Sequence, residues 1–272
     1  MMADTSASEL LRMAGIAPVD ARILLRAVLE IGDVHLAVHP EQRLTDQQRD
    51  RYLALVKRRG AGEPVAYLTG EREFYSLGFK VTPAVLIPRP ETELLVEAAL
   101  ERVPVHIPIR VLDLAAGSGC VAVTIAVHRP RARVTATEVS RDALAVARDN
   151  AARRGAGIEF LESDWFDALG GRRFDLIVSN PPYVAERDPN LAEGDLRFEP
   201  RVALVAGADG LSCIRLIVAQ ARAHLEPGGG LFFEHCHDQA ARGRALLVQA
   251  GFSEVASRRD LAGIERVSGG RV

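Results

Sequence analysis

Residues 111–119 read VLDLAAGSG, an apolar run that passes directly into a glycine-rich turn. Short apolar runs of the same kind recur further along the chain, at 134–139, 158–163, 174–179 and 230–235. Helix-like stretches separate them, and this alternation predicts a mostly parallel sheet wrapped by helices. The final runs, 252–259 and 264–270, follow each other without a helix, so we expect an antiparallel C-terminal edge. The predicted fold class is α/β, with a Rossmann-like domain.

The region before this sheet shows helical spacing and lacks β-branched runs. Thr45 followed by Gln48 matches a capping box, in which each side chain satisfies a free amide at a helix start. We therefore predict a small all-helical domain over residues 1–73. Residues 74–88 change to an alternating pattern broken by a glycine and a proline, which predicts a linker that forms a β-hairpin. Residues 89–272 then form the α/β domain.

The composition excludes several classes of protein. The chain of 272 residues carries 34 Lys+Arg against 36 Asp+Glu, and this net charge of −2 is poorly suited to sequence-independent binding of phosphate backbones. No apolar run reaches the length of a membrane span, and the polar N-terminus lacks a secretory signal pattern. The cysteines are few and scattered and form no disulfide framework, so we expect a cytoplasmic protein.

The turn after the first strand has the features of a nucleotide site. Glycines in the segment Asp113–Gly119 let a ligand approach the backbone, and the following helix offers free amides. Glu138 ends the next strand, where a carboxylate can accept hydrogen bonds from both hydroxyls of a ribose. The pair predicts an adenosine-type site, although the G-x-G-x-x-A pattern from Gly117 to Ala122 also fits a dinucleotide fingerprint. Taken alone, glycines in such a turn can also be purely structural.

The tetrapeptide Asn180-Pro181-Pro182-Tyr183 follows the run at 174–179 and decides the chemistry. Ligands of open parallel sheets bind beyond the carboxyl ends of the strands, so it should face the same crevice as the glycine turn. The side-chain carbonyl of Asn180 can accept one N–H of a planar amino group, and the backbone carbonyl of Pro181 can accept the other. The prolines hold these acceptors in place, and Tyr183 offers an aromatic face to a flat group. A proline-stiffened turn would explain the two prolines but not the whole tetrapeptide.

The tetrapeptide at this position resembles the signature of S-adenosylmethionine-dependent methyltransferases that act on amino groups of planar systems. Further segments narrow the resemblance: LIPRPETE (86–93), SDWF (163–166), RFEP (197–200) and FEH (233–235). With the helical N-terminal region, they are similar to the PrmC/HemK family of protein-(glutamine-N5) methyltransferases over nearly the whole chain. The resemblance implies S-adenosyl-L-methionine as cofactor and S-adenosyl-L-homocysteine as product. It implies as substrate the glutamine in the Gly-Gly-Gln motif of bacterial class I peptide-chain release factors, a modification that modulates translation termination.

The resemblance also implies roles for individual residues. The residues expected to bind the cofactor are Asp113, Ala115, Ala116, Gly117, Ser118, Gly119, Glu138, Asp164, Trp165 and Asn180, with Glu138 at the ribose and Asp164 and Trp165 at the adenine. The residues expected to bind the substrate glutamine are Asn180, Pro181, Pro182, Tyr183 and Arg89, of which Asn180, Pro181 and Tyr183 are expected to be catalytic. Arg89 can line the substrate entrance or merely cap a helix.

Four positions depart from the family pattern, and one of them is Ala116, where threonine or another small residue is frequent. Ala115 stands where glycine is usual, and its Cβ disfavours a positive φ. Glu138 stands where many members have aspartate, which moves the carboxylate outward by one methylene. Cys236 stands where glycine is usual. These departures bear on cofactor affinity and not on the family assignment.

Rival interpretations stay open on the sequence alone. A nucleic-acid amino-methyltransferase of the adenine-N6 or cytosine-N4 type would share the tetrapeptide but would need a basic groove and a base-reading domain. An NAD(P)-dependent dehydrogenase would use G-x-G-x-x-A and Glu138, but it leaves Asn180–Tyr183 unexplained. A non-catalytic cofactor-binding module is less compatible with an intact Asn180 and Tyr183. Another Gly-Gly-Gln protein, such as a ribosomal protein, is an alternative substrate.

The sequence also leads to expectations about metals, protein partners and the oligomeric state. We expect no metal site, because strand alternation would place His235 and His237 on the opposite face from Cys236 and Asp238. We expect the domain 1–73, which carries no catalytic motif, to recognise the release factor. We further expect a monomer that binds neither nucleic acid directly nor a membrane, although no sequence pattern bears on the oligomeric state.

Overall fold

The computed structural model describes residues 6–272, which form two compact units. One unit contains the described residues up to Glu71 together with Ala192–Phe198. The other contains Arg72–Leu191 and Glu199–Val272. Within the described residues, no helix combines the length and apolarity needed to cross a membrane.

The first unit is helical. Its helices are α1 (Ala7–Met13), α2 (Pro18–Leu29), α3 (Asp33–Val38), α4 (Asp46–Gly60) and α5 (Val65–Thr69). The predicted capping box is present at the start of α4, where Thr45 Oγ1 accepts from Gln48 N at 3.2 Å and Gln48 Oε1 accepts from Thr45 N at 3.0 Å. Apolar faces of these helices meet in one core that includes Leu24, Leu25 and Tyr52. The unit therefore has a hydrophobic core of its own.

A distant segment belongs to this helical unit. Arg197 Nη2 donates to the carbonyl of Ala61 at 2.8 Å, and Arg59 lies 3.5 Å from the carboxylate of Asp195. The structure thus differs from the predicted division at residue 73, since its boundary falls at Glu71 and the segment Ala192–Phe198 is added. Local patterns could not indicate this addition, because it depends on contacts between residues far apart in sequence.

A β-hairpin opens the second unit, earlier than the predicted range 74–88. Strands β1 (Glu71–Phe74) and β2 (Leu77–Lys80) form a sheet of their own. The turn lies at Tyr75 and Ser76, whose φ values of 52° and 59° suit a tight hairpin turn, and not at a glycine. Glu93 Oε1 accepts from Tyr75 N at 2.8 Å, and the Tyr75 ring packs edge-on against His128 at 5.2 Å. These tertiary contacts stabilise a turn that the local sequence disfavours.

The main sheet has the predicted α/β architecture. Its strands are β3 (Arg110–Leu114), β4 (Arg133–Glu138), β5 (Ile158–Glu162), β6 (Phe174–Ser179), β7 (Leu225–Glu234), β8 (Ser253–Arg259) and β9 (Glu265–Arg271), in the order β5-β4-β3-β6-β7-β9-β8. Strands β3 to β7 pair in parallel, while β9 pairs antiparallel with β7 and β8. The packed helices are α6 (Glu93–Arg102), α7 (Cys120–His128), α8 (Arg141–Arg153), α9 (Ser212–Ala221) and α10 (Ala240–Gln249). The mostly parallel sheet and its antiparallel C-terminal edge are both confirmed.

The strand order places a ligand crevice next to β3. From β3 the chain builds β4 and β5 on one side, and then crosses to add β6 and β7 on the other. Such a reversal leaves a crevice at the carboxyl ends of the central strands. Leu112 and Leu114 of β3 are fully buried, because a central parallel strand is covered by helices on both faces.

Candidate active site

A cavity of about 340 Å³ lies at this crevice, beyond the carboxyl ends of β3, β4 and β6. Most of the residues predicted from the sequence line it: Asp113, Ala115, Ala116, Gly117, Ser118, Glu138, Asp164, Trp165, Asn180 and Pro182. The lining of the cavity does not include Gly119, Pro181, Tyr183 or Arg89. The structure therefore brings together strand ends that are separated by more than sixty positions in the sequence.

The cavity also has walls that the sequence interpretation missed. They come from the stretch after the hairpin, the start of α8 and the segment before α9: Ala84, Val85, Leu86, Pro88, Thr92, Val139, Ser140, Ala143, Val202, Ala203, Val205 and Cys213. Most of these side chains are apolar or small and belong to no motif. A sequence signal existed only for the stretch 86–93, which resembles the family.

The loop between β3 and α7 forms the floor of the cavity. Ala115 adopts a φ of 59° in spite of its Cβ, a conformation that costs an alanine about 1 kcal/mol. Gly119 has a φ of 77°, and an added Cβ would lie 3.1 Å from the Cβ of Ala147, so the loop packs closely on α8. At Gly117 an added Cβ would meet nothing within 4 Å among the described residues, which leaves space for a ligand above the loop.

Asp113 anchors the base of this loop. Its Oδ2 accepts from the backbone amide of Ala122 at 3.0 Å, near the start of α7. Burial raises the pKa of the Asp113 carboxyl to about 8, against the opposing effect of that hydrogen bond, and the neighbouring charge of Glu138 raises it further. Asp113 is therefore mainly protonated at neutral pH, and its contacts make it a support of the loop.

Glu138 joins the loops that follow β3 and β4. Its Oε2 accepts from Gly117 N at 2.9 Å, and its Oε1 accepts from Ser140 N at 3.0 Å. The side chain is buried and still lines the cavity. Because each carboxylate oxygen has a further lone pair, both can accept another hydrogen bond from a ligand.

The turn after β5 supplies a further part of the cavity wall. Trp165 has a φ of 45° and lines the cavity, while Asp164 beside it is exposed. Ser163 stabilises the turn, since its hydroxyl donates to the carbonyl of Trp165 at 3.1 Å and accepts from Ala168 N at 3.0 Å. The aromatic side chain of Trp165 and the carboxylate of Asp164 thus lie next to each other in the cavity lining.

Asn180 presents an unused acceptor. Its Nδ2 donates to Thr92 Oγ1 at 3.0 Å, whereas its Oδ1 is buried and has no hydrogen-bond partner among residues 6–272. The preceding residue, Ser179, ends β6 and ties it to β3 by donating to the carbonyl of Leu114 at 2.8 Å. A buried carbonyl oxygen without a donor is unfavourable, so this site is suited to a ligand that brings an N–H group.

Tyr183 turns away from the cavity lining and towards β7. Its hydroxyl donates to Glu234 Oε1 at 3.0 Å, and burial together with the adjacent carboxyl raises the pKa of Tyr183 well above its ordinary value. Gln239 Nε2 donates to the backbone carbonyl of Tyr183 at 2.9 Å. The last residue of the tetrapeptide is therefore fixed by two hydrogen bonds, one that its hydroxyl donates and one that its backbone carbonyl accepts.

Arg89 forms an ion pair with the buried Glu199. Its Nη2 donates to Glu199 Oε2 at 2.5 Å, and Glu199 Oε1 accepts from Ile87 N at 3.2 Å. Glu199 is almost fully buried, so the pair joins the stretch before α6 to the stretch before α9. The contact of Arg89 with the substrate stays a prediction, whereas its ion pair with Glu199 is present in the structure.

Residues His235–Asp238 do not alternate between the two faces of a strand, so that part of the prediction was wrong. Strand β7 ends at Glu234, and the residues that follow leave the strand and enter a turn, so they do not alternate between faces. Ligand atoms of Cys236, His237 and Asp238 lie within 4.8 Å of one another. The expectation of no metal stays a prediction, because exposed polar groups often cluster without an ion.

Comparison with known proteins identifies the family. Residues 4–70 match the PrmC N-terminal domain, and residues 90–195 match the methyltransferase small domain. The chain is 56% identical to the release factor glutamine methyltransferase of Burkholderia pseudomallei, over 98% of this chain and 96% of that one. It is 50% identical to that of Bordetella pertussis, over 98% and 99% of the two chains.

The chain belongs to the release factor glutamine methyltransferase family. Among solved structures, a T. thermophilus 16S rRNA N2 G1207 methyltransferase in complex with AdoMet and guanosine is similar, with a TM-score of 0.56 and 22% identity over 74% of this chain and 49% of that chain. At this identity the likeness concerns the fold. The protein is an S-adenosylmethionine-dependent methyltransferase, and the predicted cofactor is confirmed.

Proposed function

We propose that this enzyme transfers the methyl group of S-adenosylmethionine to the side-chain amide nitrogen of the glutamine in the Gly-Gly-Gln motif of bacterial class I release factors. The buried, unpartnered Oδ1 of Asn180 at the cofactor cavity carries the proposal. A primary amide offers N–H donors that can satisfy this oxygen. A hydroxyl or thiol substrate has only one proton to donate, so it would not use both Asn180 Oδ1 and the backbone carbonyl of Pro181 as acceptors.

The nucleophile in this reaction, the side-chain amide nitrogen of the substrate glutamine, is weak. The lone pair of an amide nitrogen is delocalised into its carbonyl, so alignment and removal of water are the main tasks of the site. Asn180 Oδ1 and the backbone carbonyl of Pro181 accept the N–H groups and direct the lone pair towards the methyl carbon. Reaction then requires the two reacting atoms at roughly 3–3.5 Å.

When bound, S-adenosylmethionine would supply an electrophilic methyl group to the amide nitrogen, and the electron pair of the broken C–S bond would stay on the sulfur of the product S-adenosylhomocysteine. The proton of the methylated nitrogen leaves to water afterwards, so no strong base is required before transfer. The cavity of about 340 Å³ and the open space above Gly117 fit such a cofactor. Glu138 would accept from its ribose hydroxyls, Trp165 would lie along its adenine, and Asp164 would accept from the adenine amine.

We infer that the helical unit recognises the protein substrate. Val34 and Val38 lie one turn apart on α3 and are 77% and 63% exposed, so the unit carries apolar side chains that a partner can bury. Burial of such a side chain contributes about 1.5 kcal/mol, and Val34→Ser with Val38→Ser should raise the KM for the release factor about tenfold or more. Val248→Ser in α10, at 61% exposure, is the matched control.

The helical-unit test separates recognition from chemistry. The double variant should keep its kcat and its affinity for S-adenosylmethionine, because the substitutions lie outside the cavity. An unchanged KM in the double variant, or an equal rise with Val248→Ser, would contradict a recognition role for this helix face.

The decisive experiment measures methyl transfer from labelled S-adenosylmethionine. The acceptors are a purified class I release factor, the same factor with the Gly-Gly-Gln glutamine replaced by alanine, and duplex DNA. Label on the intact factor alone is expected. Label on DNA, or equal label on the alanine variant, would refute the proposal.

A further inference from the structure

Asn150 is a buried polar residue that no sequence motif indicated and that lies outside the cavity lining. It belongs to α8 and is 1% exposed. Ala147, three positions earlier on the same face of α8, packs against the cofactor loop, because a Cβ added at Gly119 would lie 3.1 Å from the Ala147 Cβ. Burying a side-chain amide is unfavourable unless it is hydrogen-bonded, so the partners of Asn150 indicate why it is there.

Both the NH2 group and the carbonyl oxygen of the Asn150 amide have partners. Nδ2 donates to the backbone carbonyl of Ser118 at 2.9 Å and to the backbone carbonyl of Lys80 at 3.0 Å. Oδ1 accepts from Lys80 N at 2.8 Å. Since the two N–H groups meet carbonyl oxygens and Oδ1 meets an N–H, only one orientation of the amide satisfies all three contacts.

The hydrogen bond to Ser118 fixes one peptide unit in the floor of the cavity. The peptide between Ser118 and Gly119 is held at both of its polar atoms, because its carbonyl accepts from Asn150 and its N–H donates to the carbonyl of Ala116 at 2.7 Å. Gly119 has a φ of 77°, and a glycine has more backbone freedom to lose than any other residue. Ser118 lines the cavity whereas Asn150 does not, so this hydrogen bond orders the floor without occupying the space of a ligand.

The hydrogen bonds to Lys80 reach a second wall of the same cavity. Lys80 ends β2, and four residues later the chain arrives at Ala84, which lines the cavity together with Val85 and Leu86. A tight turn makes this connection short, since Val85 N donates to the carbonyl of Thr82 at 3.0 Å. One side-chain amide therefore connects the loop that follows β3 to the stretch that follows the hairpin.

We propose that Asn150 is a positioning residue for S-adenosylmethionine: its amide holds the Ser118–Gly119 peptide and the backbone of Lys80 in the arrangement that the cofactor requires before it binds. A loop that is ordered in advance loses less conformational freedom on binding, and the affinity for the cofactor is higher for that reason. The inference rests on the assignment of this cavity to the cofactor and does not depend on which protein accepts the methyl group.

The test measures the Kd for S-adenosylhomocysteine by titration calorimetry in two variants of Asn150. Asn150→Ala removes all three hydrogen bonds, whereas Asn150→Asp keeps an acceptor for Lys80 N and replaces the NH2 group that donates to the two carbonyls. Fixing the backbone of one residue on binding lowers an affinity roughly tenfold, so we expect the Kd to rise about tenfold in both variants. The KM for S-adenosylmethionine should rise with it, while kcat at saturating cofactor stays within about twofold.

Two further variants separate loop positioning from other effects. Asp149→Asn is the matched control, because Asp149 is the neighbouring residue of α8 and its carboxylate pairs with Lys80 Nζ at 2.9 Å. This change weakens the contact between α8 and the hairpin but keeps the hydrogen bond to Ser118, so the Kd should match that of the wild type. Leu247→Ala in α10, buried outside the cavity lining, controls for a general loss of stability and should also leave the Kd unchanged.

Amide hydrogen exchange in the absence of cofactor measures the order of the loop directly. Exchange of the Gly119 N–H should accelerate about tenfold in the Asn150 variants but not in Asp149→Asn, whereas the amides of β5 should keep their wild-type rates, because the opening is local. A Kd within about twofold of the wild type in both Asn150 variants, an equal rise in either control, or an unchanged exchange rate at Gly119 would overturn the positioning role. Failure of the wild-type enzyme to methylate a release factor would count against the proposed function alone, since none of these measurements uses a protein substrate except the kcat comparison.

Discussion

Replacing Glu138 by glutamine tests the ribose contact at a single atom. In the folded protein Oε2 accepts from Gly117 N at 2.9 Å and Oε1 accepts from Ser140 N at 3.0 Å. Each oxygen keeps a lone pair that can accept from one ribose hydroxyl. Glu138→Gln preserves the shape of the side chain, but it replaces one of these acceptors by an NH2 group and removes the charge.

The expected loss of cofactor affinity follows from these contacts. A hydrogen bond to a charged group contributes about 1.5–3 kcal/mol, and a neutral one about 1 kcal/mol. Losing one ribose acceptor and weakening the other therefore amounts to about 3 kcal/mol, or roughly a 100-fold increase in Kd. The new NH2 also faces a backbone N–H, so the loop at Gly117 or Ser140 loses a hydrogen bond and the affinity falls no less than this.

Titration calorimetry with S-adenosylhomocysteine measures the effect without turnover. Glu162→Gln is the control, because Glu162 is the register partner of Glu138 on β5, pairs with Arg141 at 2.8 Å and lies outside the cavity lining. Its Kd should match that of the wild type. A folded Glu138→Gln enzyme whose Kd stays within about threefold of the wild type would refute the ribose assignment, since the estimate from its hydrogen bonds is far larger.

Further substitutions test the remaining parts of the site. Asn180→Ala should abolish turnover while S-adenosylhomocysteine still binds, because it removes the substrate acceptor and leaves the cofactor loop intact; near-normal turnover would contradict the mechanism. Ala115→Gly should stabilise the protein by about 0.5 kcal/mol in urea unfolding, since relief of the positive φ outweighs the entropy of the unfolded glycine, whereas Ala116→Gly, buried and without a positive φ, should destabilise it. The folded-state pKa of Asp113 is raised to about 8 from 3.8, so its contribution to stability is fully present below about pH 4 and is lost as the pH rises towards 8. Asp113→Asn should therefore flatten the fall in unfolding free energy between about pH 5 and pH 8, and an equally steep fall in the variant would show that another group causes it.

The sequence predicted the architecture because hydrophobic periodicity is a local property. Apolar runs separated by helical spacing give the sheet, and glycines and polar residues at the strand ends mark its ligand edge. The capping box at Thr45 was likewise readable, because both of its partners lie within four residues. The hairpin turn at Tyr75 was not, since Glu93 and His128 stabilise it from elsewhere in the chain.

The turn at Cys236 shows a second limit of local patterns. Its residues continue an apolar strand in the sequence, but β7 ends at Glu234 and the chain bends at once. The backbone amide of Cys236 donates to Gln239 Oε1 at 3.0 Å, and the Gln239 amide in turn donates to the carbonyl of Tyr183 at 2.9 Å. The end of the strand is thus set partly by a contact with the tetrapeptide.

The sequence by itself determined the fold class and the family, and it predicted most of the residues that line the cavity, because these depend on residue type and short-range order. Only the tertiary structure decided how those groups are held. The burial of Glu234, its hydrogen bond from the Tyr183 hydroxyl, and the unpartnered Oδ1 of Asn180 exist because parallel strands bring their carboxyl ends to one edge. Which donors and acceptors at that edge are already paired depends on contacts between distant residues, so it is present only in the packed arrangement.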